Sequence, residues 1–277
     1  MQDVISVRLH EIVLIIYMIC LGCYFYDFIQ KNSKVRKFGY YTLGIVWIFQ
    51  TIFLCMYIVT TKQFPVLTIF EGFYFYTWMI ITVSLVLNYF KSTDLTVFII
   101  NLIGFVFLVI HTFRPEQYDT ENTAANIMNE LLLIHISLAI LSYVLFALST
   151  SHAILYLLQR KNLKEKKFNQ KFFRMGSIDQ LEQNVFRFTL VGFLVLLISL
   201  ILGIQWGLII IGSEIWIDSK VIGSLIVLLL YGIYLFLRVR KSINTKTLVI
   251  ANIMMFLVCM INYLVVSKFS GFHQWFN

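Results

Sequence analysis

The sequence predicts an all-α integral membrane bundle of eight transmembrane helices, with both termini on the outer side. Three observations predict it. Of 277 residues, 60% are hydrophobic and 13% charged, where a soluble domain of this size carries roughly a quarter charged residues. The apolar residues run in long blocks instead of amphipathic stripes, as hydrocarbon-spanning helices require. Lys and Arg gather in alternate loops, the pattern that fixes membrane orientation. The 26 Phe and 15 Tyr suit lipid-facing and interfacial positions, and residues 1–277 are expected to form a single membrane domain.

A helix needs about 20 apolar residues to cross the hydrocarbon. The first block that qualifies is Leu9–Ile29, followed by Gly39–Thr60 and Thr68–Phe90. Leu95–Thr112 is the fourth and is short. Glu130–Leu158 and Val185–Trp206 are the fifth and sixth. Val221–Leu237, also short, and Thr247–Ser267 complete the set. The first block lacks a basic leader and a small-residue cleavage site, so it is expected to stay as the first span.

Orientation follows from the loops. Lys31, Lys34, Arg36 and Lys37 lie after the first span, Lys91 after the third. Arg160, Lys161, Lys164, Lys166, Lys167, Lys171 and Arg174 follow the fifth, and Arg238, Arg240, Lys241 and Lys246 the seventh. These loops are placed inside. Only Arg8, Lys62, Arg114, Lys220 and Lys268 fall on the other side. Acidic residues collect there: Glu116, Asp119, Glu121, Glu130, Glu214 and Asp218. The net charge of +8 is thus topological and implies no nucleic-acid partner. The chain is expected in the cell (cytoplasmic) membrane as a multi-pass protein. Cys20, Cys23, Cys55 and Cys259 all sit in apolar blocks, and Tyr24 after the Cys20-x-x-Cys23 pair rules out c-type haem attachment there.

The basic inner segment 159–184 changes character halfway. Ser177 with Gln180 fits a capping box, and Ile178, Leu181 and Val185 share one helical face. A short amphipathic helix on the inner leaflet is expected there. Its lysines favour anionic lipid or an acidic cytoplasmic partner.

Ionisable groups within a membrane are costly and mark candidate sites. His135 lies a turn and a half into the fifth span, and His273 in the tail after the last. The charge pattern puts both at the outer mouth. Each is either an ordinary interfacial or helix-bonded imidazole, or one half of an axial-ligand pair for haem iron. His10 and His111 are read as interfacial, and His152, toward the inner side, as a helix–helix hydrogen-bonding group. Between the sixth and seventh spans, the stretch from Trp206 through Trp216 and Asp218 to Lys220 stays apolar between its tryptophans. It is expected to form a flat outer shelf suited to a porphyrin, with Lys220, Arg114 or Lys268 near the propionates. Glu71, early in the third span, either snorkels to the interface or orients a histidine.

These residues resemble the cytochrome c assembly family of haem-handling membrane proteins, and within it the HemX-type branch. The likeness rests on Pro65-Val66 with Glu71 and Trp78, and on Leu132-Leu133-Ile134-His135-Ile136-Ser137 continuing to Ser142-Tyr143. It also rests on Ser177-Ile178-Asp179-Gln180-Leu181 running into Gly192-Phe193. Gly203 through Trp206-Gly207, Trp216, Asp218 and Lys220 to Tyr231 and Tyr234, and the tail Gly271-Phe272-His273, complete it. The resemblance implies haem b bound by His135 and His273 beside a tryptophan-rich loop, with Trp206, Trp216, Asp218 and Glu71 around it.

The chain departs from the family pattern in that loop. Where the family has a dense Trp-Gly-x-x-Trp-x-Trp-Asp run, this chain has Ile211-Gly212-Ser213-Glu214-Ile215-Trp216-Ile217-Asp218. Less aromatic surface argues against haem presentation for covalent attachment. The HemX-type branch implies instead a non-enzymatic membrane protein that regulates haem biosynthesis by restraining glutamyl-tRNA reductase levels. The alternative is a haem transport or presentation component of c-type cytochrome biogenesis. No H-E-x-x-H, nucleophile elbow or phosphate-binding loop occurs to suggest an enzyme.

Overall fold

The computed structural model describes residues 2–62, 64, 68–89, 94–113, 130–168 and 170–270. Every regular element among them is helical. The α-helices are α1 (Gln2–Gln30), α2 (Ser33–Thr61), α3 (Ile69–Tyr89), α4 (Asp94–Thr112), α5 (Glu130–Lys164), α6 (Gln170–Arg174), α7 (Ile178–Ile211), α8 (Ser219–Val239) and α9 (Thr245–Leu264). All but the five-residue α6 are long and apolar enough to cross a membrane. These eight spans fall at the expected blocks, because each block is long enough to satisfy every backbone group within one helix, the condition hydrocarbon imposes.

The helices fall into two compact units. The first holds α1 to α4 together with α6. In it α1 packs against α2 and α4. Lipid offers helices no hydrophobic reason to associate, so polar side chains bond across the gaps. Tyr17 donates to Asn101 Oδ1 at 2.8 Å, and Asn101 Nδ2 donates to Ser84 at 2.8 Å. Asn88 donates to the Tyr24 hydroxyl at 2.9 Å. Indoles bridge α2 and α3: Trp47 Nε1 donates to Thr82 and Trp78 Nε1 to Thr51, the two rings stacked 6.3 Å apart. At the end of α1, Asp27 is buried and paired with Arg174 of α6 at 2.5 Å. That ion pair fixes the segment between α5 and α7 to the first unit.

The second unit holds α5, α7, α8 and α9. Helices α5 and α7 pack along most of their lengths. Phe146 stacks flat on Tyr231 of α8, ring centroids 3.8 Å apart. Ser149, Thr189 and Asn252 form a buried hydrogen-bonded triad joining α5, α7 and α9. Ile198, Ile201, Leu229 and Ile261 point outward, as lipid-facing positions should.

Two segments differ from the sequence-based expectation. The Ser177–Gln180 capping box is present, but the helix it starts is not a short one on the membrane surface. It runs unbroken for 34 residues to Ile211. No Pro or Gly interrupts residues 178–191, Leu181 and Val185 are buried, and Glu182 is neutralised by Arg238 of α8 at 2.6 Å. Once capped, the helix has no reason to stop. The basic segment before it is also partly helical, since α5 extends through Lys164. Likewise the stretch from Trp206 to Lys220 is not a loop. Trp206 to Ile211 belong to α7, and Gly212 ends that helix at φ +63°, a backbone region open chiefly to glycine. A 3₁₀ turn, Gly212–Ile217, then leads directly into α8.

Candidate functional site

His135 sits on the face of α5 that meets α7. Its Nδ1 lies 2.6 Å from the Ser199 carbonyl. A carbonyl only accepts, so Nδ1 carries a proton, and in the neutral tautomer of the ring the lone pair is on Nε2. The Ser199 hydroxyl lies 3.1 Å from the same Nδ1 and donates back to the His135 carbonyl at 2.8 Å. The imidazole is thus fixed in tautomer and plane by one residue of the facing helix. It has room there because position 203 is glycine. A Cβ at Gly203 would stand 2.6 Å from Nδ1 and 2.9 Å from Nε2, closer than real Cβ contacts allow.

One turn farther along the same antiparallel pair, Leu132 of α5 packs on Trp206 of α7. Ile215 and Val221 complete this cluster. Trp206 is therefore a core residue, 6% exposed, whereas Trp216 on the 3₁₀ turn is 53% exposed. A sequence cannot separate two such tryptophans, because the turn that folds Ile215 inward and Trp216 outward is set by Gly212.

Asp218 caps α8. Its Oδ1 accepts from the backbone N–H groups of Lys220 at 3.0 Å and Val221 at 3.2 Å. Its Oδ2 accepts from the Ser270 hydroxyl at 2.5 Å. One carboxylate thus holds both the start of α8 and the chain that leaves α9. Lys220 reaches the Asn262 carbonyl at 3.1 Å, with its ammonium 5.2 Å from the Tyr263 ring centre, so it is directed into the α8–α9 contact. Replacing Asp218 by Ala is expected to lower the stability of the second unit by about 1–2 kcal/mol, the usual value of an N-cap. A fall in the thermal unfolding midpoint of purified protein checks this.

Of the other residues singled out, His273 and Arg114 lie outside the described residues, as do Glu116, Asp119 and Glu121. Nothing is described of the side chains of Lys268 and Glu130. Glu71, in the first unit, accepts a hydrogen bond from Tyr57 of α2 at 2.7 Å. His152 bonds to the Leu148 carbonyl of its own helix at 2.8 Å, not to a neighbouring helix. The first unit also brings together two histidines treated separately in the sequence. His10 of α1 and His111 of α4 have ring centroids 5.8 Å apart, with Tyr74 beside both. His111 Nδ1 donates to the Phe70 carbonyl at 2.9 Å, and His10 stacks on Phe53. No periodicity could have paired them, since they lie on the first and fourth helices. Among the described residues, no three His, Cys, Asp or Glu side chains converge as a metal site.

Comparison with known proteins fits this architecture. Residues 66–273 match the family model described as Cytochrome C assembly protein. The chain is 40% identical to Protein HemX of Bacillus subtilis (strain 168) over 277 residues, all of both chains. It is 38% identical to Protein HemX of Brevibacillus brevis, across 96% of this chain and 97% of that one. It is 26% identical to the cytochrome c biogenesis protein CcsA of Guillardia theta, across 97% and 96%. His135, Gly203, Trp206, Asp218 and His273 all fall inside the matched range, and so the chain belongs to the cytochrome c assembly protein family, as a HemX-like multi-pass membrane protein.

Proposed function

We propose that this protein is a non-enzymatic regulator of haem synthesis in the cytoplasmic membrane. It restrains the level of glutamyl-tRNA reductase, and it holds haem b at the outer face through His135 and His273. The observation that carries the haem site is the tautomer of His135. A metal-ligating histidine typically donates its second ring nitrogen to a carbonyl or carboxylate, which orients the ring and raises its basicity. The Ser199 carbonyl does this for Nδ1, and Nε2 is the nitrogen proposed to ligate. Haem, if bound, would be held by the imidazoles of His135 and His273 and would supply an iron centre there. The chain's own residues set the ring plane, clear space at Gly203 and place Trp206 one turn away. Asp218 fixes Ser270, three residues before His273, a distance of at most about 11 Å along an extended chain.

The resemblance to the HemX-type branch favours regulation, and the replacement of two tryptophans by Ile211 and Ile215 before Trp216 favours it over haem delivery. The basic stretch from Lys161 to Arg174 is the contact for the cytoplasmic partner. It includes the exposed Phe168 and Phe173, and it is attached directly to the helix that bears His135. Cells lacking the protein are expected to accumulate glutamyl-tRNA reductase, and the wild-type gene to restore its level. A gene with Lys161, Lys164, Lys166 and Lys167 changed to Gln should fail to restore it while the membrane protein stays abundant. Unchanged reductase abundance on deletion would overturn the proposal. The similarity to a cytochrome c biogenesis protein favours a second reading, haem delivery, which predicts instead that deletion removes covalently haem-stained c-type cytochromes and leaves the reductase level unchanged.

A further inference from the structure

In the first unit, α2 and α3 are spaced by the stacked indoles of Trp47 and Trp78. Toward the start of α2 from Trp47 the gap between the helices opens laterally. Tyr40, Tyr41, Gly44, Ile45, Trp47, Ile48 and Leu85 line a groove of about 450 Å³. Position 44 opens into it, since a Cβ there would meet nothing within 4 Å. Its walls are almost wholly apolar, and two tyrosines stand at one end. The groove runs within membrane-spanning segments, so its contents come from the bilayer.

The charged residues on α2 are confined to one end of that groove. Lys37, Tyr41, Gly44 or Ile45, and Ile48 follow one helical stripe, and Arg36, Tyr40 and Trp47 the adjacent one. Lys34, Arg36 and Lys37 are all exposed, and α2 contains no Asp or Glu anywhere in its 29 residues. From Lys37 to Ile48 the stripe extends about 16 Å at 1.5 Å per residue. A cationic mouth one turn from a slot of that length and volume matches a phosphate headgroup followed by the greater part of one acyl chain. Basic pockets between transmembrane helices bind anionic headgroups on the same principle.

We propose that the α2–α3 groove is a binding site for a single anionic glycerophospholipid. The phosphate sits at Arg36 and Lys37, and one acyl chain lies along Gly44 to Ile48. The two tyrosines stand at the glycerol level, where amphipathic rings are favoured. The site is separate from the proposed haem site and does not depend on it.

The test is native mass spectrometry of the full-length protein, delipidated in mild detergent. Phosphatidylglycerol or phosphatidylcholine with identical acyl chains is then added. The expected result is one phosphatidylglycerol per chain, surviving collisional activation that strips phosphatidylcholine. Arg36→Gln and Lys37→Gln should each weaken phosphatidylglycerol retention about fivefold, the value of one cation near an anionic lipid. Lys62→Gln, at the other end of α2, should leave it unchanged. Gly44→Trp should remove the adduct for either headgroup, and the open space at position 44 lets that variant fold. Equal retention of the two lipids would overturn the proposal, because the headgroup would not be read. Undiminished binding to Gly44→Trp would overturn it too, because the lipid would then sit elsewhere.

Discussion

Gly203→Ala is expected to abolish the proposed haem binding nearly as completely as His135→Ala. A methyl at position 203 would occupy the space held by the imidazole, 2.6 Å from Nδ1 and 2.9 Å from Nε2. Both ring nitrogens are affected at once, and the hydrogen bond to the Ser199 carbonyl is lost with them. Loss of an orienting partner alone costs on the order of 10–100-fold in metal affinity, and displacement of the ligand ring costs at least as much. Ser199→Ala makes a sharp contrast. It deletes the hydroxyl but keeps the carbonyl that holds Nδ1, so only a small loss is expected. The helix itself should not suffer, since Ala is favoured over Gly in a helix interior by about 1 kcal/mol. Haem titration of both variants, with circular dichroism to confirm helicity, checks the pair.

Arg174→Ala is expected to destabilise the first unit by about 3–5 kcal/mol, because it leaves Asp27 charged and buried with no counterion. Arg174 donates to both the carboxylate and the backbone carbonyl of Asp27, and its guanidinium lies 6.0 Å from the Phe28 ring centre. The pair is 14% and 2% exposed, so solvent screens it little. The exposed pair Lys167–Glu165 gives the comparison: Lys167→Ala should cost no more than about 1 kcal/mol. The double variant Asp27→Leu/Arg174→Met should recover most of the loss, since exchanging a buried pair for apolar residues is often neutral. Thermal unfolding in detergent distinguishes these outcomes. Partial proteolysis should also show the α6 segment cut faster in Arg174→Ala, because the segment would lose its anchor.

Much of this molecule was legible in its sequence, and the boundary of legibility has physical causes. The eight spans were readable because a hydrocarbon-spanning helix must be apolar over its whole length, so each announces itself locally. The start of α7 at Ser177 was equally local, since a capping box is satisfied by four consecutive residues. The continuity of α7 was not. Asp179, Glu182 and Arg187 look like a surface helix until Arg238 arrives from α8 to pair with Glu182. The shelf between Trp206 and Trp216 failed for a related reason. Its apolar run is the C-terminal end of a long helix followed by a tight turn, and only tertiary packing decides that Trp206 is core and Trp216 is not. Partners distant along the chain left no trace at all: Arg174 with Asp27, His10 with His111, and His135 with Gly203. Of the candidate site, His135, Trp206, Trp216 and Asp218 were found in the sequence and share the second unit. The residue that makes room for the histidine, Gly203, was seen only as one letter of a family resemblance.

The protein is held together by such pairings, and its proposed activity turns on one of them. The most direct test is the absorbance spectrum of the detergent-purified full-length protein, oxidised and reduced, beside His135→Ala and His273→Ala. A sharp low-spin Soret and α band in the parent, lost or shifted in both variants, is the predicted result. A parent protein that is colourless as purified and stays colourless after haem is added would contradict the account.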